Sequence, residues 1–233
     1  MKFIALSLHD VASDIIFIIM FLPFSANAHV QHYQDLNRIE FDIYRNNDHI
    51  GKHIFSFRKA EGQLFVESEI NFQIKKLGIV LYKYHVKGTE IYKNGQLIRF
   101  NSKTDQNNKK KYVNMKLENG EYIIDGSSYK GKSPVEYLLG TWWNHSIVEA
   151  KAQISAVSGR IIKQKVTFVG KETLKINDVT YNSLHFNFSS TDEKLDKDKR
   201  LNTDVWYDEK SLNWLKASFN KKGKWTYELV SID

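Results

Sequence analysis

Residues 63–75 read QLFVESEINFQIK. Leu64, Val66, Ser68, Ile70, Phe72 and Ile74 alternate with Phe65, Glu67, Glu69, Asn71, Gln73 and Lys75. A period of two over this length is a strand with one buried and one wet face. It predicts a strand about twice the ~5–6 residues of an ordinary one. The pattern continues in both directions. Val80, Tyr82, Tyr84 and Val86 repeat it downstream; Ile39, Phe41, Ile43 and then His53, Phe55, Phe57 repeat it upstream. Asn94-Gly95 and Asn119-Gly120 sit between alternating runs and signal tight hairpins. Glu61-Gly62, Asn177-Asp178 and Lys222-Gly223 mark further reversals. Further strands are expected near 161–169, 172–176, 181–189, 203–207, 214–219 and 225–230. The charge-dense stretches 103–111 (KTDQNNKKK) and 191–200 (TDEKLDKDKR) read as solvated loops.

One segment departs from this rhythm. Ser133-Pro134-Val135-Glu136 has the form of a helix start, with Ser at the N-cap, Pro at the first position and Glu closing a capping box. Val135, Leu138, Leu139, Trp142, Ile147 and Ala150 then recur at helical spacing. A helix of about four turns is expected, ending near Glu149. A dozen strands in one flat sheet would leave unpaired edges and uncovered apolar area. The expected fold is therefore mostly β: an antiparallel barrel or half-barrel of about a dozen strands wrapped around one α-helix.

The N-terminus reads as an export leader. Ile15 to Phe24 is a ten-residue apolar run, too short to span a bilayer, and Ser25-Ala26-Asn27-Ala28 follows with small residues at the positions a signal peptidase reads. Residues 1–28 are expected to be a Sec-type signal peptide and 29–233 a single domain, periplasmic or secreted by a bacterium. The chain has no cysteine, so disulfides and Cys-based chemistry are excluded. Its net charge is +7, with lysines scattered along turns and alternate strand positions. That distribution argues against a nucleic-acid partner; peripheral contact with an anionic membrane fits it.

Five stretches occur in an order that resembles a known family: Tyr82-Lys83-Tyr84-His85, Asn94-Gly95, the segment from Pro134 to Asn144 with its Trp pair, Ser158-Gly159-Arg160, and Val205-Trp206-Tyr207-Asp208. Together they are similar to the exported bacterial proteins gathered as domain-of-unknown-function family 6134. The resemblance covers nearly all of the mature chain and implies no activity. In layout alone the chain also resembles the periplasmic lipoprotein carriers, where a half-barrel encloses a hydrophobic cavity; that likeness carries no residue with it.

The sequence holds little chemistry. There is no nucleophile elbow around Ser158-Gly159, no phosphate-binding glycine loop and no dinucleotide fingerprint. His85, His145 and His185 are isolated, and His49 and His53 flank a turn. Cleavage after Ala28 would expose His29 as an amino terminus close to His32, an arrangement able to chelate copper. Asp204, Trp206 and Asp208 share a strand face, but Asp208-Glu209-Lys210-Ser211 has the composition of a turn. No cofactor is called for. Aromatics make up 13 % of the chain, and all five tryptophans lie in its C-terminal half. They form either a packed core or a cavity between helix and sheet, lined by Tyr137, Leu138, Trp142 and Trp206. The expected function is an exported, non-enzymatic binding or carrier protein for an apolar ligand such as a lipid. The alternatives are a structural or protein-interaction module of the cell envelope and, after that, an enzyme, glycosidase-like or copper-dependent. The sequence leaves the oligomeric state open.

Overall fold

The computed structural model describes residues 32–196 and 199–233. The leader expected at 1–28 and the copper reading on the His29 and His32 side chains lie outside the described residues.

Alternation becomes a meander. The strands are β1 (Arg38–Arg45), β2 (Asp48–Ala60), β3 (Gln63–Lys76), β4 (Ile79–Lys93), β5 (Gln96–Gln106), β6 (Lys109–Glu118), β7 (Glu121–Gly126), β8 (Lys130–Pro134), β9 (Leu138–Leu139), β10 (Ala152–Ile154), β11 (Ile161–Ile176), β12 (Val179–Ser190), β13 (Asn202–Asp208), β14 (Trp214–Asn220) and β15 (Lys224–Ile232). They form one sheet in the order β8-β7-β6-β5-β4-β3-β2-β1-β15-β14-β13-β12-β11-β10-β9. Every neighbouring pair is antiparallel except β9 with β10. The turns carry residues that tolerate the left-handed region. Asn46-Asn47, Asn107-Asn108 and Asn177-Asp178 have positive φ at both positions, as do Glu61-Gly62, Asn94-Gly95 and Asn119-Gly120. Such turns match the right-handed twist of the strands they join.

Three expectations are corrected. First, the described residues contain no α-helix. Ser133 lies in β8, where its hydroxyl faces the Pro134 carbonyl at 3.3 Å instead of capping anything. After β9 the chain runs irregularly, with Trp142 at φ +60, to one 3-10 turn over His145–Glu149. Asn144 caps that turn by accepting from the Ser146 N–H at 3.0 Å. The helical spacing of apolar residues was real, but Gly140, Thr141 and two adjacent tryptophans form a helix poorly. Gly140 also needs room that a helix would not give it: a Cβ there would sit 2.2 Å from Gln153 Oε1. Second, the sheet does not close, since β8 and β9 end it without pairing to each other. Third, residues 103–111 are not a loop. They are the ends of β5 and β6 around the Asn107-Asn108 turn, paired from Lys103↔Tyr112 to Gln106↔Lys109. The burial alternation continues here, but its inward positions are Ser102 and Thr104, so the apolar signal vanished while the strand persisted.

The stretch between β9 and β11 still does what the helix was expected to do: it fills the concave side. Trp143 is fully buried and packs edge-on against Tyr33, Phe57 of β2 and Tyr92 of β4. The adjacent Trp142 meets Trp214 of β14, and its carbonyl accepts from the Tyr207 hydroxyl of β13 at 3.0 Å. Two consecutive residues can touch β2, β4, β13 and β14 only if the sheet curls around them. A second aromatic group, Phe41, His53, Phe55, Trp214 and Tyr227, packs beneath.

Candidate functional site

The topology fixes which turns share an end. The turns at Asn46-Asn47, Leu77-Gly78, Asn107-Asn108, Ser127–Tyr129 and Lys221–Gly223 lie at one rim, together with the loop from Thr191 to Leu201. Arg160 lies at the same rim, just before β11. At the opposite rim lie Glu61-Gly62, Asn94-Gly95, Asn119-Gly120 and Asn177-Asp178. Eight lysines distant in sequence meet in space: Lys75, Lys76, Lys83, Lys109, Lys110, Lys111, Lys221 and Lys222 belong to the first rim, whereas Lys59, Lys93 and Lys175 lie towards the other.

Between the plug and β13–β14, this rim opens into a groove of about 640 Å³. Its apolar wall is Trp142, Ile162, Leu201 and Phe219; its edge carries Arg160, Lys221 and Lys222. A second groove of about 660 Å³ shares Arg160 and Ile162 with it and adds Tyr137, Lys163 and Leu195. Of the cations here, Lys199 pairs with Asp196 at 2.6 Å, and Asp192 lines the second groove; the others bond chiefly to neutral oxygens. Arg160 donates to the Lys199 carbonyl at 3.3 Å and Arg200 to the carbonyls of Glu193 and Leu195. Lys111 donates to Gln106 Oε1 at 2.6 Å. Burial, followed by the like charges of Lys221, Lys109 and Arg160, lowers the pKa of the Lys111 ammonium. An anion placed among these groups would relieve that repulsion.

Trp142 also presents an unsatisfied donor. Its indole Nε1 is buried and has no hydrogen-bond partner; the same is true of Trp214 Nε1 and His53 Nδ1. The three rings are in mutual contact through Trp214, with centroids 5.7 Å and 5.9 Å apart. Burial alone pushes the His53 pKa down to about 3, so its ring is neutral. Leaving the indole donors unmet costs stability, and all three atoms lie buried behind the groove wall.

The plug is held by a buried carboxyl. Glu90 of β4 receives the Trp143 indole N–H at 2.9 Å and the Tyr92 hydroxyl at 2.6 Å, and the Thr141 side chain bonds to it as well. Those donors favour the anion, but burial outweighs them and raises the pKa to about 7. Glu90 was not singled out in the sequence. Its signal was a lone acid at an inward position of β4, between Gly88 and Tyr92.

The four residues expected to line one cavity are not brought together. Trp142 lines the first groove and Tyr137 the second. Leu138 pairs through β9 with Gln153. Trp206 lies on the outer face, since Val205 and Tyr207 on either side of it point into the core. There it stacks on His185 at 4.3 Å and donates to Glu172 Oε1 at 2.9 Å. His185 lies within ion-pair distance of Glu172 at 2.7 Å and Asp204 at 3.1 Å. No group of three or more His, Asp or Glu among the described residues could hold a metal ion. Asp208 does close a turn, accepting from the Ser211 N–H and hydroxyl at 2.7 Å each.

A family model described as a domain of unknown function, DUF6134, matches residues 41–230. No curated protein matches the chain. Among solved structures, a β-barrel-like protein of the domain of unknown function DUF1849 from Brucella abortus is similar in fold. Its TM-score is 0.60 at 11 % identity, over 85 % of this chain and 97 % of that one.

Proposed function

We propose that this chain, which belongs to the DUF6134 family, is an exported binding or carrier protein whose ligand is an amphiphile with an apolar chain and an anionic end. The curled sheet and its plug serve as a half-barrel, and the ligand lies in the groove beside Trp142. One observation carries this reading. A wall of Trp142, Ile162, Leu201 and Phe219 adjoins an edge of Arg160, Lys221 and Lys222, so a single molecule with both characters would satisfy both surfaces.

The test is uptake of a fluorescent fatty acid by the mature protein, with Phe219→Asp and Arg160→Glu as variants. Phe219→Asp should abolish uptake; Arg160→Glu should weaken an anionic probe several-fold and leave its neutral alcohol analogue unchanged. Failure of the unmutated protein to bind either probe, with no lipid retained in native mass spectra of protein taken from the exporting cell, would refute the reading. N-terminal sequencing of that same material should find His29 first.

A further inference from the structure

The β3–β4 hairpin breaks the pattern of its neighbours. β2 pairs with β3 only as far as Phe72, and β5 pairs with β4 only from Tyr84 onward. Residues 73–83 therefore project from the basic rim as a two-stranded ribbon with no strand on either side among the described residues. Ribbons of this kind in a soluble protein are normally polar at the tip. Here the tip is Leu77, Gly78, Ile79, Val80 and Leu81, with Leu77 94 %, Ile79 66 % and Leu81 55 % exposed.

The turn itself is chosen against local preference. Leu77 has φ +49 in a position that Asn, Glu or Lys occupies in the other tight turns; the other leucine with positive φ, Leu212, lies in the longer β13–β14 connection. A branched apolar residue is unfavourable there, and its side chain is almost wholly exposed. When a local rule is broken without gain to the fold, the gain lies outside the folded chain.

The surroundings select the partner. From Asn71 to Thr89 the sequence contains no acid. Lys75, Lys76 and Lys83 flank the apolar tip and make no ion pair among the described residues, and Lys109 follows at the adjoining β5–β6 turn, whose Asn107 N–H donates to the Lys83 carbonyl at 2.8 Å. Apolar residues leading a collar of cations are complementary to a bilayer with anionic headgroups. The ribbon's second face continues inward as an aromatic series. Tyr82 and Tyr84 stack on Phe72, which meets Trp225, which stacks on Phe219 of the groove.

We propose that the projecting β3–β4 ribbon docks the protein on an anionic lipid bilayer, with Leu77, Ile79 and Leu81 entering the interface and Lys75, Lys76 and Lys83 meeting the headgroups. Docking in this way sets the mouth of the groove against the membrane. The proposal stands on the ribbon alone, whatever the groove holds.

The test is co-sedimentation with vesicles of phosphatidylethanolamine and phosphatidylglycerol (7:3), compared with pure phosphatidylcholine. Binding to the anionic vesicles should fall with added salt. Leu77→Asn, which the turn accepts readily, should weaken it roughly tenfold or more, the effect of withdrawing one leucine from an apolar phase. Lys75→Glu with Lys76→Glu should weaken it further, and Asn119→Ser at the opposite rim should change nothing. Leu77→Asp combined with Ile79→Asp serves as a second, stronger variant, its folding checked by circular dichroism. Absence of binding to the anionic vesicles, or binding unaffected by these ribbon variants, would overturn the proposal. So would a dimer in solution that Leu77→Asn converts to monomer, since the tip would then be a contact between copies of the chain.

Discussion

Glu90→Gln separates the two effects that oppose each other at the buried carboxyl. Three donors, from Trp143, Tyr92 and Thr141, favour its anion, and burial disfavours it. Burial wins, so the folded chain holds the proton up to about pH 7, whereas the unfolded chain releases it near 4.5. A pKa raised by folding contributes stability that is complete below 4.5 and is lost as pH rises through about 7. The loss totals roughly 3 kcal/mol, at about 1.4 kcal/mol per pH unit. Glutamine keeps the shape and the hydrogen bonds, because the Tyr92 hydroxyl can turn to accept from the new amide. Urea unfolding of both proteins from pH 4 to 8 then isolates Glu90, since every other titration cancels in the difference. The variant should match the parent near pH 4, gain on it steadily between about 4.5 and 7, and stay ahead by roughly 3 kcal/mol above that. A difference that does not change with pH would refute the argument. A variant that loses ground as pH rises would show that the three donors outweigh burial and that the carboxylate is native.

The adjacent tryptophans should differ. Trp143→Ala empties a fully buried site and removes a donor from Glu90, costing ~3–5 kcal/mol in chemical denaturation. Trp142→Ala, at the wall of the groove, should cost clearly less and instead weaken uptake of a fatty-acid probe. His53→Phe should make the protein more acid-resistant. Burial lowers the folded pKa of His53 to about 3, so the parent loses stability as pH falls from 6.5 towards that value, and urea midpoints at pH 4 should favour the variant by roughly 3 kcal/mol. Leu77→Asn should raise the thermal midpoint, adding about 1 kcal/mol by relieving the left-handed leucine, even as membrane binding weakens.

The sheet was legible because alternation and turn chemistry are local. Asn94-Gly95 and Asn119-Gly120 specify their hairpins whatever surrounds them, and residues 63–75 could hardly be anything but a strand. The irregular plug was not legible, because its conformation is imposed by what encloses it. Ser133 and Glu136 have the right identities for a capping box, yet β7 claims Ser133 as a strand partner through Tyr122. Trp142 was found because tryptophan in a short apolar segment has to bury itself. Trp206 was misplaced for a simpler reason: alternation says that Val205 and Trp206 face opposite sides, and the larger residue was assumed to be the inner one. The basic rim was invisible because Lys75, Lys111 and Lys221 are far apart in sequence and meet only through the meander.

The sheet order also has a consequence for how the chain acquires its shape. From β1 through β8, and again from β11 through β15, each strand hydrogen-bonds to the strand before it in sequence, so both arms can grow hairpin by hairpin. The exception is the seam where β1 meets β15, with Ile39 opposite Ile232. Closing it requires a loop of nearly the whole chain, an entropic cost that no local turn can reduce. Until the last strand arrives, β1 presents an open edge lined by Ile39, Phe41 and Ile43. The seam is thus the step at which a partly folded chain is most exposed to pairing with another copy, and the step that a chaperone holding the β1 edge would relieve.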